Sequence, residues 1–187
     1  MTASTGSPSS LATLVAATSA TFTALVLVRA AWHKLRDLDA FAALLGDYRV
    51  LPPWAVGGVA RSIVVGECAA VLALLVPRLA PMGAGFAALL LLTYSAAMSA
   101  NMLRGRRELD CGCGGSAQGL GWPLIVRNLG LIAIAALALL PDAARPGVLE
   151  RALSGAAALV LSTAFLLIEQ LLANASRLGV PLAERAS

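Results

Sequence analysis

The chain has 187 residues, of which 59% are hydrophobic and 13% charged, with a formal net charge of +4. A soluble domain usually carries about 25% charged and about 45–50% apolar residues. The balance excludes an ordinary soluble domain and predicts an all-α integral membrane protein, of a length that suits one helical bundle. The lipid bilayer is the first partner this implies, and nothing points to nucleic acid.

Residues 1–10 are rich in Ser and Thr, and no Lys or Arg precedes Arg29. A disordered N-terminus is expected there. A secretory signal needs a basic leading segment and a small-residue cleavage site, so the uncharged stretch Leu11–Val28 reads as a retained first helix. Next, Leu38, Phe41, Leu44, Leu45 and Tyr48 recur at helical spacing, with Asp37, Asp39 and Asp47 between them. This predicts an amphipathic helix over 37–48 lying in the membrane interface. A helix packed on a loop fits the same pattern. Leu51-Pro52-Pro53-Trp54 ends that helix and opens the next, since proline is tolerated at a helix start.

The second apolar stretch, Trp54–Val76, is interrupted by Arg61 and Glu67. The third, Leu79–Leu103, is uncharged. The fourth, Leu120–Leu140, opens near Pro123 and contains Arg127. The fifth, Ala152–Ile168, is uncharged and runs on to Ala173 past Glu169 and Gln170. A spanning helix needs about 20 mostly apolar residues, a length against which the first and fourth stretches are marginal. The expected architecture is a four-helix transmembrane bundle core, a fifth C-terminal helix and the interfacial amphipathic helix. The domain is expected over 11–175, with a flexible tail over 176–187. Gly57, Gly58, Gly66, Gly83 and Gly85 allow close helix approach. Trp32, Trp54 and Trp122 fall near the ends of apolar stretches on one side, as in an aromatic belt.

The cations outside these stretches divide unevenly. One side holds Arg29, Lys34, Arg36, Arg49, Arg104, Arg106, Arg107, Arg177 and Arg185, and the other holds Arg78, Arg145 and Arg151. The positive-inside rule makes the first side cytoplasmic and the N-terminus external. Cys111 and Cys113 then face the cytoplasm, whereas stable disulfides belong to oxidising compartments.

Those cysteines form the motif Cys111-Gly112-Cys113, in a short polar loop between apolar segments. A bond between the two sulfurs closes a small strained ring, and Gly112, lacking a Cβ, relieves part of the strain. Strained or exposed disulfides have more oxidising potentials and are the catalytic or labile ones. Asp110 opposes thiolate formation, while Arg104, Arg106 and Arg107 just upstream favour it. Thiolates also select Cu(I) or Zn. The other ligand types, His33 and Cys68, have no ligand spacing to the pair, so no metal site is assigned. An inert reduced pair is the structural alternative. Cys68, mid-helix beside Glu67, reads as a small buried hydrophobe, with a resolving thiol as its alternative.

A charge inside a membrane helix is a functional-site hypothesis by default. Glu67 lies thirteen residues beyond Trp54, near the centre of its helix. Alternating helices bring Arg29, Arg61, Arg127, Asn128 and Glu169 to similar depth below the cysteine loop. A polar pocket of Arg61, Glu67, Arg127, Asn128 and Glu169 is therefore expected. Mutual ion pairing that fixes helix register is the plain reading. Holding a quinone head group, or positioning a partner's disulfide, is the functional one.

Several pieces in order carry a family resemblance: Lys34-Leu35-Arg36-Asp37, Tyr48 with Leu51-Pro52, Glu67, Arg104-Gly105-Arg106, the cysteine motif, Trp122-Pro123 and Arg127-Asn128. Over about residues 11–140 the chain resembles the MauE-type membrane proteins, which are related to the DoxX-like four-helix membrane proteins. The family's cysteine motif reads Cys-x-Cys-Phe-Gly, and Gly114 stands at the Phe position. The resemblance implies a role in methylamine utilisation, in forming the disulfides of the methylamine dehydrogenase small subunit with a thioredoxin-like partner. It maps the functional residues onto Cys111 and Cys113.

The expected function is that of a multi-pass cell-membrane protein supporting thiol–disulfide exchange or maturation of a partner with disulfides. Arg104, Arg106 and Arg107 would stabilise the thiolate. A quinone as electron acceptor rests on analogy with other small helical disulfide-forming proteins. The alternatives are a non-enzymatic membrane assembly factor and a soft-metal or small-solute carrier.

Overall fold

The computed structural model describes residues 8–106, 120–140 and 147–184. Cys111, Cys113 and Arg107 lie outside the described residues. The described chain forms six helices: α1 (Pro8–Arg36), α2 (Leu38–Asp47), α3 (Pro53–Leu75), α4 (Ala80–Leu103), α5 (Trp122–Leu137) and α6 (Val148–Glu184). Four contain segments long and apolar enough to cross a membrane: Leu11–Arg36, Pro53–Leu75, Ala80–Leu103 and Val148–Leu171. With α5 as a shorter apolar helix, the chain is a multi-pass, all-α membrane protein of the expected architecture.

α1 is longer than the uncharged stretch that predicts it. It runs eight residues past Val28, to Arg36. Arg29 and Lys34 do not stop it, because both charges find carboxylate partners inside the bundle. The last turn carries His33, Lys34 and Arg36, and cations there favour the negative end of the helix dipole. At the far end of the chain α6 continues to Glu184, past the domain boundary expected at 175.

α1, α3 and α5 each bury a stripe at three- and four-residue spacing, as an amphipathic periodicity requires. On α1 it is Ala16, Ala20, Thr23, Leu27, Ala31 and Lys34. On α3 it is Ala60, Val64, Glu67, Val71 and Leu74, and on α5 Leu124, Asn128, Leu131 and Ala135. Small residues are frequent in the α1 stripe, with Ala16, Ala20, Thr23 and Ala31, and let neighbouring backbones approach it closely. α1 is the hub, packing against all five other helices, while α6 packs on α1 alone by backbone proximity. An edge-to-face contact between Phe22 and Phe165, with ring centroids 6.0 Å apart, fastens that docking.

α2 is the expected amphipathic helix. The Asp37 carboxylate caps it by accepting from the Ala40 amide at 2.9 Å, as a side chain at the N-cap position does. Arg49, with φ of 49°, turns the chain out of it before Pro52 and Pro53. α2 lies against α3 at the end of the bundle shared by the C-termini of α1 and α4 and the N-termini of α3 and α5. Trp32, Trp54 and Trp122 are all exposed at this end.

The α3–α4 hairpin depends on Gly83. A Cβ there would stand 2.7 Å from the Leu74 backbone nitrogen and 3.0 Å from Ala73, whereas one at Gly85 meets nothing within 4 Å. Gly83→Ala is expected to destabilise the protein by about 1–3 kcal/mol through overpacking. Gly85→Ala should leave stability unchanged or raise it by up to about 1 kcal/mol. Unfolding midpoints of the two variants in the same detergent decide the point, and equal midpoints would refute the close approach.

Candidate functional site

A cavity of about 260 Å³ lies where α1, α4, α5 and α6 meet, with Glu67 of α3 reaching in. Two charge clusters form its polar side. In the deeper one Lys34 of α1 pairs with Glu67 of α3, and the Tyr94 hydroxyl of α4 donates to the same Glu67 oxygen at 2.7 Å. Lys34 is 4% exposed and Glu67 fully buried. The ammonium also sits 5.0 Å from the Tyr94 ring centroid and 5.3 Å from that of Phe41 on α2. Both distances are within reach of a cation–π attraction, which strengthens when desolvated. The structure thus offsets the burial of Glu67 with an ammonium partner.

The second cluster lies nearer the outer wall. Glu169 of α6 takes Arg29 of α1 on one carboxylate oxygen at 2.8 Å and Arg127 of α5 on the other. Arg127 also donates weakly to the neighbouring Asn128 side-chain oxygen at 3.4 Å. Three helices are tied together by one carboxylate. Opposite these clusters the wall is apolar, with Leu25, Leu131 and Phe165 among its residues.

Four of the five expected pocket residues, Glu67, Arg127, Asn128 and Glu169, line this cavity. Arg61 does not. It is exposed on α3, because six residues at about 100° each place it roughly 120° around the helix from Glu67. Depth alone suggested Arg61, and its direction around the helix excludes it. Conversely, Lys34 and Tyr94 are pocket residues that the sequence pattern does not single out. For Lys34 the signal is present: it continues the Leu27, Ala31 spacing of the buried α1 stripe.

Arg104 and Arg106 have another visible task. Arg106 donates to the Asp47 carbonyl at 2.7 Å and Arg104, more loosely, to the Arg49 carbonyl at 3.4 Å. The Asp47 carbonyl is at the C-terminal end of α2, where helices leave acceptors unfilled, and the Arg49 carbonyl lies just past that end. The two arginines thereby tie the chain at the C-terminal end of α4 to the end of α2. His33 is exposed, and Cys68 is a half-buried free thiol. Among the described residues, no group of three or more His, Cys, Asp or Glu side chains is placed to hold a metal ion.

The profile described as methylamine utilisation protein MauE matches residues 12–141, well over half the chain. The chain belongs to the MauE family. A methylamine utilization protein MauE of Paracoccus denitrificans is 44% identical over 116 residues, 61% of this chain and 62% of that protein. One from Paracoccus versutus is 39% identical over 130 residues, 67% and 69% of the two chains. One from Methylorubrum extorquens is 37% identical over 142 residues, 73% and 76%. The first match thus spans under two thirds of its relative's length. No solved structure matches the chain. The MauE match covers α1 to α5 and the cysteine loop, while Glu169 and the rest of α6 lie beyond it.

Breaking a buried ion pair from one side leaves an uncompensated charge, whereas replacing both partners with apolar residues can be nearly neutral. Lys34→Met is therefore expected to lower stability by about 3–5 kcal/mol. Combining it with Glu67→Leu should restore most of that loss. Reversible unfolding in bicelles measures both variants, and an equal loss in each would show that the pairing carries no stability.

Proposed function

We propose that this MauE-family protein is a cell-membrane maturation factor of methylamine utilisation that exchanges a disulfide between Cys111–Cys113 and a partner protein. The partner is a thioredoxin-like protein or a client that carries disulfides. The client implied by the resemblance is the methylamine dehydrogenase small subunit. The observation that carries the reading is membership of the family over residues 12–141, a span that includes the cysteine pair.

The exchange balances without a further reagent. A partner thiolate attacks one sulfur of the Cys111–Cys113 disulfide, forming a mixed disulfide and releasing the other cysteine as a thiolate. The second partner thiol then displaces the first cysteine. The partner ends as a disulfide and this protein as a dithiol, with two electrons and two protons transferred. Arg104, Arg106 and Arg107 lie at the stem of the loop, where cations favour the leaving thiolate. Anchoring of that stem on α2 supports the reading, since sites held by rigid elements are better positioned than free ones.

Replacing both cysteines, with Cys111→Ser and Cys113→Ser, is expected to leave the client's thiols free in cells. Alkylation of the client followed by a gel-shift assay reads this directly. One of the two single variants should accumulate a mixed disulfide that dissolves on reduction. A client that is fully oxidised but unassembled in the double variant would overturn exchange in favour of a non-enzymatic assembly role.

A further inference from the structure

Three buried polar atoms around the cavity lack a hydrogen-bond partner among the described residues: Glu67 Oε2, Asn128 Nδ2 and Ser162 Oγ. Glu67 is 0% and Asn128 1% exposed. Buried polar groups are nearly always hydrogen-bonded, and each exception needs an explanation. These three come from different helices, α3, α5 and α6, yet all line the same cavity. Their coincidence marks a place where a ligand supplies the missing bonds.

The unmet needs define its chemistry. The carboxylate oxygen of Glu67 requires a donor, the Asn128 amide nitrogen requires an acceptor, and the Ser162 hydroxyl serves as either. A fatty-acid carboxylate has no proton to give Glu67 Oε2 and would leave that oxygen unmet. A ligand cation would face Lys34 and Arg127, both in the same wall. A neutral head group carrying both donor and acceptor oxygens satisfies all three atoms. The remaining wall is apolar, and two of its residues on α6, Leu159 and Leu166, are also exposed on the outer face. On a membrane-spanning helix that face meets lipid, so the cavity is entered from the bilayer. Its size lies just under the roughly 300–1,000 Å³ of small-molecule sites, as suits a head group whose tail stays outside.

We propose that the cavity is a binding site for a lipid-phase quinol, a ring ligand whose hydroxyls both donate and accept. A ring hydroxyl donates to Glu67 Oε2, and a ring oxygen accepts from Asn128 Nδ2. The ring lies against Phe165 and Leu131, and the apolar tail leaves past Leu159 and Leu166. The site requires neither cysteine and stands apart from the disulfide exchange proposed above.

The test uses the full chain in phosphatidylcholine nanodiscs with decylubiquinol, kept reduced under anaerobic conditions, as the probe, titrated by calorimetry. Saturable binding of one molecule per chain is expected. Asn128→Leu should weaken it roughly tenfold, the loss of one buried hydrogen bond. Leu159→Trp, which fills the mouth from an exposed position, should abolish it while leaving the unfolding midpoint unchanged. Stearate should not compete. Absence of saturable binding, an affinity indifferent to Asn128→Leu and Leu159→Trp, or displacement by stearate would each overturn the assignment. If Asn128→Leu fails to fold, Ser162→Ala and Leu159→Trp carry the same decision. The titration is repeated on the variant lacking both cysteines. Binding there alongside free client thiols in cells keeps both readings, whereas binding with normal client oxidation removes only the exchange.

Discussion

The pairing of Lys34 with Glu67 is the constraint around which the bundle is arranged. An ammonium and a carboxylate can share the interior of a membrane bundle only if they meet. Meeting requires one register of α1 against α3. A slip of one turn would separate the charges by about 5.4 Å along the axis and strand both. The Tyr94 hydroxyl brings α4 to the same oxygen, and the Phe41 ring brings α2 over the ammonium. Apolar side chains could fill the same volume, but the Ala-rich stripes beside the pair would tolerate several registers. We read the pair as the device that selects one.

The second cluster follows from the geometry of α1. Arg29 lies five residues before Lys34, about 7.5 Å along the helix and roughly 140° around it. One helix therefore presents one cation to α3 and another to α6. Glu169 answers the second and recruits Arg127 of α5 as well. Among the described residues α6 packs by backbone proximity on α1 alone, and this carboxylate and the Phe165 contact fasten it there. The cavity is the space left between the two clusters. The orphaned Glu67 oxygen arises because Lys34 and Tyr94 both bond the other one.

What could be read from the sequence was depth, and what could not was direction. The apolar stretches, the proline starts and the Leu38 to Tyr48 periodicity locate all six helices. Glu67, Arg127, Asn128 and Glu169 stand out because polar residues in apolar runs are rare. Arg61 stands out equally, yet it points outward, and only the buried stripe of α3 tells the two apart. Lys34 and Arg29 look like loop cations because the uncharged run ends at Val28. A helix continues through charges whenever the fold supplies partners, and those partners are 33 and 140 residues away. No local pattern contains them. The cysteine motif is the reverse case, legible in the sequence but outside the described residues.

These pairings also alter the argument about membrane orientation. The positive-inside rule counts cations in loops near the ends of spans. Arg29 and Lys34 are bundle residues with carboxylate partners, so they leave the count. Among the cations that remain at the α2 end, Arg106 holds the last α2 carbonyl and Arg104 the Arg49 carbonyl just past it. They therefore hold the C-terminal end of α4 to the end of α2 and carry part of the positive excess at once. Removing them to shift the charge balance would also free α2 from the stem of α4. Charge balance at this end and the fastening of α4 to α2 are for this reason linked through the same two side chains.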